Sequence, residues 1–209
     1  RTQEIVYELH GLALAGKIPN IPIYVDSPLA VNATDIFRLH GECFDHQEQL
    51  VDEVDEIFQF RLVRYVRSVE ESKKLNDLRG PAVIIAASGM AESGRILHHL
   101  RQIVEDPRHT IVIVGYQAEA TLGRRLVERR EEIRIFGEPF QLRARVEVLN
   151  GFSAHADHDG LVAQARSCGA AMGCAIVHAD LERAEALRQA LPPTMRARIP
   201  SEGDTWEVE

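Results

Sequence analysis

No apolar run in the 209-residue sequence reaches the about 18 to 20 residues that a membrane-spanning helix needs; the longest, at residues 81–87 and 110–115, are strand-sized. Aromatic residues are few, at 6%, but 45% hydrophobic and 27% charged residues make an ordinary folded protein and exclude a disordered or collagen-like chain. The three cysteines, Cys43, Cys168 and Cys174, are odd in number and lack CxxC spacing. They argue against a disulfide framework. With no secretory leader pattern at the start, a reducing cytoplasm is the expected compartment. A basic excess is also missing, since Lys+Arg 24 against Asp+Glu 32 leaves a net charge of −8. A broad nucleic-acid binder held by basic surface is thereby disfavoured, though a narrow basic groove is still allowed. The elements HxH, HxHxD and HExxH are absent, so the sequence does not encode a complete hydrolytic zinc centre, which needs three or more protein ligands.

What is present alternates between helix and strand. Ile5, Val6, Leu9, Leu12 and Ala13 open the chain at helical spacing, as though Arg1 lay inside a helix, which reads as a piece of a longer protein. A strand at residues 21–25 ends in Asp26, Ser27 and Pro28, the last suited to the first turn of a helix over 29–39. Residues 42–58 predict an acidic surface helix, 61–66 alternate apolar and basic, and Ser68 with Glu71 predicts a capping box for a helix to residue 78. Residues 81–87 and 110–114 read as fully buried strands, each followed by a glycine turn and a helix, over 92–104 and 121–127. Such repeated units predict one α/β domain with a parallel sheet covered on both faces. Beyond Gly137 and Pro139 the pattern shifts: residues 141–149 alternate as a half-exposed strand of another layer. A helix over 159–167, a strand at 174–177, a helix over 181–191 and a strand near 196–199 follow.

Ligands of parallel sheets bind at the carboxyl ends of strands, where glycine turns let backbone N–H groups meet an anion. Two turns qualify: Ser88, Gly89 and Met90 after one strand, and Gly115, Tyr116 and Gln117 after the next, with Gly123 and Arg124 opening a helix. Their convergence on one sheet edge predicts a phosphate-bearing ligand. The densest polar cluster is Ser153, His155, Asp157 and His158, where a histidine beside an aspartate can act as metal ligand, general acid or phosphate donor. His178 ends a strand just before Asp180, a placement that suits a ligand, a catalyst or a satisfied core residue. His98 and His99 point about 100° apart on a helix and cannot share a metal comfortably. His10, His40, His46 and His109 read as surface residues, and the run Arg124, Arg125, Arg129, Arg130 and Arg134 reads as a solvated face or as part of a groove.

Five stretches in order then resemble the β-CASP family of metallo-β-lactamase-fold RNA-processing nucleases. They are the run from Ile23 to Ala30, the run from Ser68 to Asn76, Ala86 to Met90 with Gly94 to Leu97, Gly115 to Gln117 with Thr121 to Arg124, and Gly151 to Asp157. The resemblance implies a β-CASP domain over residues 1–138, truncated at its start, and the C-terminal portion of an αββα metallo-β-lactamase domain over 139–209. It implies a hydrolase that cleaves RNA with two zinc ions in the full-length protein; the HxHxDH motif would lie upstream, leaving this chain with an incomplete site and inactive alone. Asp26 is not the acidic family residue, which also lies upstream. By position His155 matches a histidine that touches the scissile phosphate and protonates the leaving oxygen, and His178 matches a zinc ligand. Where the family has His-Gly-Glu, this sequence has His178, Ala179 and Asp180, losing the glycine and one methylene. Ser88, Gly89 and Ser153 would donate to RNA phosphates, Arg95 and Arg124 would neutralise them, and Asp157 and Asp180 would support the histidines. Single-stranded RNA is the expected partner, without a membrane, and a homodimer is compatible with the resemblance. Two rivals are a non-catalytic RNA-binding scaffold of the same family and a nucleotide-binding α/β module; the pairing of His155 with His178 favours the nuclease.

Overall fold

The computed structural model describes residues 1–40, 56–152, 155–168 and 173–205. Two compact units divide the chain, Arg1–Ser153 and Ala154–Glu209.

The first unit begins with α1 (Thr2–Leu14), β1 (Ile23–Asp26) and α2 (Pro28–Leu39). Ser27 caps α2 by accepting from the Ala30 N–H at 3.3 Å, and Pro28 occupies the first turn, where a missing N–H costs nothing. Strand β2 (Val63–Tyr65) leads into α3 (Val69–Lys74). The expected capping box forms: Ser68 accepts from Glu71 N, and the Glu71 carboxylate accepts from Ser68 N. Then come β3 (Val83–Ala86), α4 (Arg95–Ile103), β4 (Thr110–Ile113) and α5 (Leu122–Val127), capped by Thr121. Strands β5 (Glu132–Ile135), β6 (Glu138–Gln141) and β7 (Arg145–Val148) complete the unit.

Strands β2, β1 and β3 form a parallel sheet in that order, with Val25 opposite Tyr65 and Asp26 opposite Ala86. All three carboxyl ends therefore share one edge. Every residue of the central strand β1 is buried. Val6, Val31, Ile57 and Phe58 pack with Val25, while Tyr24 on the alternate position packs with Val66 and Leu75. A second core gathers Leu100, Val104, Ile111, Ile113, Leu122, Leu126, Ile133, Ile135 and Val146 around β4 and β7, which pair parallel.

Several expectations are corrected here. Among the described residues the strands form three sheets rather than one, and β5 with β6 is an antiparallel hairpin, turning through Phe136 and Gly137, whose φ values of 52° and 80° fit a type I′ turn. The strand expected over 141–149 is two pieces, β6 ending at Gln141 and β7 beginning at Arg145 in a different pairing. Strand β3 is half-buried throughout and β4 alternates exposed with buried, so neither is the fully buried strand its apolar run predicts. The predicted acidic helix lies outside the described residues except for residues 56–58, which are helical, and Cys43 and His46 lie outside them too.

The second unit holds α6 (His158–Ser167), capped by Asp157, whose carboxylate accepts from Gly160 N at 2.8 Å, and α7 (Leu181–Ala190). Val162, Ile176, Ala184, Leu191 and Met195 form its core. The strands expected at 174–177 and 196–199 reduce to one parallel bridge between Ala175 and Arg198.

Candidate functional site

Where β1 ends, the Asp26 carboxylate is 0% exposed and fully occupied. Its Oδ1 accepts from Arg95 at 2.6 Å, and its Oδ2 accepts from Ser72 Oγ and meets His99 Nε2, each at 2.6 Å. Burial pushes its pKa up, but the bonds from His99, Ser72 and Arg95 outweigh burial and hold it below the ordinary carboxylate range. Arg95 also donates to the carbonyls of Val66 and Arg67, each at 3.1 Å. The guanidinium expected to face phosphate is thus turned inward, onto the sheet. His99, one turn further along α4, is buried and satisfied. Sequence reasoning set this histidine aside; the signal it held was the i, i+4 spacing of Arg95 and His99, which puts both on one helix face.

The two glycine turns come together, although β3 and β4 belong to different sheets. Gln117, 5% exposed, donates through Nε2 to the carbonyls of Gly89 at 3.0 Å, Tyr116 at 3.0 Å and Gly115 at 3.1 Å. Gly123 N donates to Met90 O at 3.0 Å, and Leu122 N to the Glu92 carboxylate. A Cβ on Gly123 would lie 1.6 Å from Gln117 Oε1 and 3.0 Å from Met90 O, so close packing requires glycine. The first loop also closes on itself: Ser88 N donates to Ser93 O at 3.0 Å, and Ser93 N to Ser88 Oγ at 3.3 Å. Gly94 ends it at φ +82°, and a Cβ there would lie 2.5 Å from Ala87 O. Ser88 is half-buried and Gly89 exposed, both just beyond the carboxyl end of β3. Arg124 pairs with Glu128 at 2.8 Å, and Glu128 also accepts from Arg130 at 2.8 Å. The hydrogen bond with Glu128 raises the Arg124 pKa, and the bonds from Arg124 and Arg130 lower that of Glu128. Arg129 and Arg134 donate to the carbonyls of Val146 and Gly137, so much of this basic run is internally engaged.

In the second unit His155 is exposed in the turn before α6, and Ser153 lies outside the described residues. His178 is exposed with φ +59°, left-handed backbone that a non-glycine residue adopts at a cost of roughly 1–2 kcal/mol. Asp180 follows as the N-cap residue of α7, its carboxylate 3.9 Å from Arg183. Among the described residues no three His, Cys, Asp or Glu side chains gather as a metal site, so these residues do not by themselves fit a zinc centre. No described helix is long and apolar enough to cross a membrane.

The order of these loops has a counterpart in known proteins, for the Beta-Casp domain family matches residues 2–126. The chain belongs to the β-CASP family. A second family, the Zn-dependent metallo-hydrolase RNA specificity domain, matches residues 140–200. A ribonuclease of Thermus thermophilus is 40% identical over 165 residues, covering 78% of this chain and 37% of the relative. Transcription termination factor FttA of Methanosarcina mazei is 33% identical over 169 residues, covering 78% of this chain and 26% of that protein. An RNase J-like protein of Methanocaldococcus jannaschii is 29% identical over 203 residues, covering 96% of this chain and 45% of its own length. The chain spans less than half the length of each of these relatives.

Proposed function

We propose that this chain supplies the β-CASP domain, over residues 1–138, and the C-terminal portion of the metallo-β-lactamase domain, over 139–209, of a zinc-dependent RNA-processing nuclease. The observation that carries this reading is the pair of family matches in order, 2–126 and 140–200, the second described by its zinc dependence and RNA specificity. The ribonuclease names of two relatives support RNA as the substrate.

In this reading single-stranded RNA lies along the edge where Ser88 and Gly89 emerge, with Ser153 and Arg124 as further phosphate contacts. A hydroxyl that accepts one bond, as Ser88 Oγ does from Ser93, still has its proton to donate to an anion. Arg95 is left out of that set because its charge is spent on Asp26. His178 would serve as one ligand of a zinc ion whose other donors lie outside the described residues, with Asp180, the N-cap residue of α7, as a supporting residue. His155 is the general acid. Water adds to phosphorus as the bond to the 3′ oxygen breaks, the His155 imidazolium protonates the departing oxygen, and the proton shed by the water returns to solvent. A histidine suits this step because its ordinary pKa, about 6.5, lies near neutral pH. Asp157 fixes the start of α6 directly after it.

The test is His155→Ala in the full-length protein. Turnover of RNA should fall roughly 100-fold or more with zinc content unchanged. Undiminished turnover would remove His155 from the chemistry, and a wild-type protein that binds RNA without cutting it would make the chain part of a scaffold instead.

A further inference from the structure

We propose that Asp26 is a positioning residue for RNA binding, holding Arg95 and His99 so that the loop over residues 87–94 presents Ser88 and Gly89 at the sheet edge. The inference rests on the nuclease reading above. Its ground is the way one buried carboxylate joins three elements: β1 carries it, α3 brings Ser72, and α4 brings Arg95 and His99.

Arg95 is the residue through which the loop is held. It is the first residue of α4, next to Gly94, and its guanidinium is pinned by Asp26 on one side and by the Val66 and Arg67 carbonyls at the end of β2 on the other. Immediately beyond it, Ile96 N donates to Ala87 O at 3.1 Å, which closes the base of the loop over the carboxyl end of β3. The Ser88 and Ser93 bonds then set the loop's interior, and Gln117 takes the Gly89 carbonyl from the far side. The Val66 and Arg67 carbonyls and Gln117 also reach the loop from outside it, but Asp26 is the charged partner of Arg95, and it ties the base of the loop to the central strand of the sheet. Buried charge costs desolvation, and a paired cluster returns that cost mainly as fixed geometry. The stiffness is available to a backbone phosphate that must meet Ser88 and Gly89 together.

The experiment uses the full-length protein with two phosphodiesters, a labelled single-stranded RNA oligonucleotide and bis(p-nitrophenyl) phosphate, which is too small to need the loop. Asp26→Asn keeps the shape and removes the charge. The KM for RNA, and its Kd by fluorescence anisotropy, should rise about tenfold or more, while kcat on RNA and turnover of the small diester change less than about threefold. His99→Gln should give a smaller rise of the same kind, and it decides the matter if Asp26→Asn does not fold. An unchanged RNA affinity in the folded variant overturns the proposal, and so does an equal loss on both substrates, which is the mark of general damage. If wild-type protein neither binds nor cuts RNA, the nuclease reading fails first and takes this proposal with it.

Discussion

At Gly123 the room for a side chain is already filled by Gln117 and the Met90 carbonyl. Gly123→Ala is therefore expected to destabilise the first unit by about 1–3 kcal/mol, read as a lower urea midpoint at unchanged slope. The buried Asp26 gives a pH dependence whose sign follows from its lowered pKa. The unfolded chain takes up a proton at this site near pH 4, before the folded chain does. The carboxylate's contribution is thus complete above that range and is lost as pH falls through the lower folded value. Asp26→Asn should flatten the acid limb of the stability profile below about pH 4, as followed by circular dichroism. The sequence shows an aspartate closing an apolar strand and a basic residue four positions before His99. That they meet depends on α4 crossing the sheet edge, a tertiary fact with no local pattern. Of the candidate side chains, Ser88 and Gly89 stand at the strand end their turn predicts, whereas Arg95 is drawn inward by a partner 69 residues away in sequence.

Helix starts are legible where their chemistry is local: the Ser68 capping box forms as predicted, whereas the helix expected from residue 92 begins only at Arg95, after the glycine at 94. Ser27, Ser68, Thr121 and Asp157 each accept from a backbone N–H in the first turn of the helix they precede. Ser68→Ala should cost about 1 kcal/mol, within a range of about 0.5–2, by thermal or urea unfolding. Strand identity is less legible. Alternation through residues 141–149 fits one strand as well as two, and the break is imposed by α4: Arg143 N and Ala144 N both donate to Val104 O at 2.9 Å, just past that helix. This detour moves β6 onto β5 and β7 onto β4. In the second unit the apolar stretch at 174–177 predicts a strand, but it finds one bridging partner and stops there.

Across the whole chain, each unit has a core of its own. Leu126, 0% exposed, fills the larger core of the first unit. Leu126→Ala should cost that unit about 2–5 kcal/mol and lower one calorimetric transition, leaving the transition of residues 154–209 in place. The α/β class and the run of parallel strands are legible because apolar runs and glycine turns recur; the division into separate sheets is not, since pairing partners lie far apart in sequence. Because β4 and β7 bond directly to each other, the turn at Phe136 and Gly137 is the tip of an excursion, and Phe136 is 52% exposed with the His98 ring against it at 4.9 Å. A fluorophore attached in place of Phe136 would sit at that tip, outside the parallel pairing of β4 with β7, offering a handle for surface immobilisation.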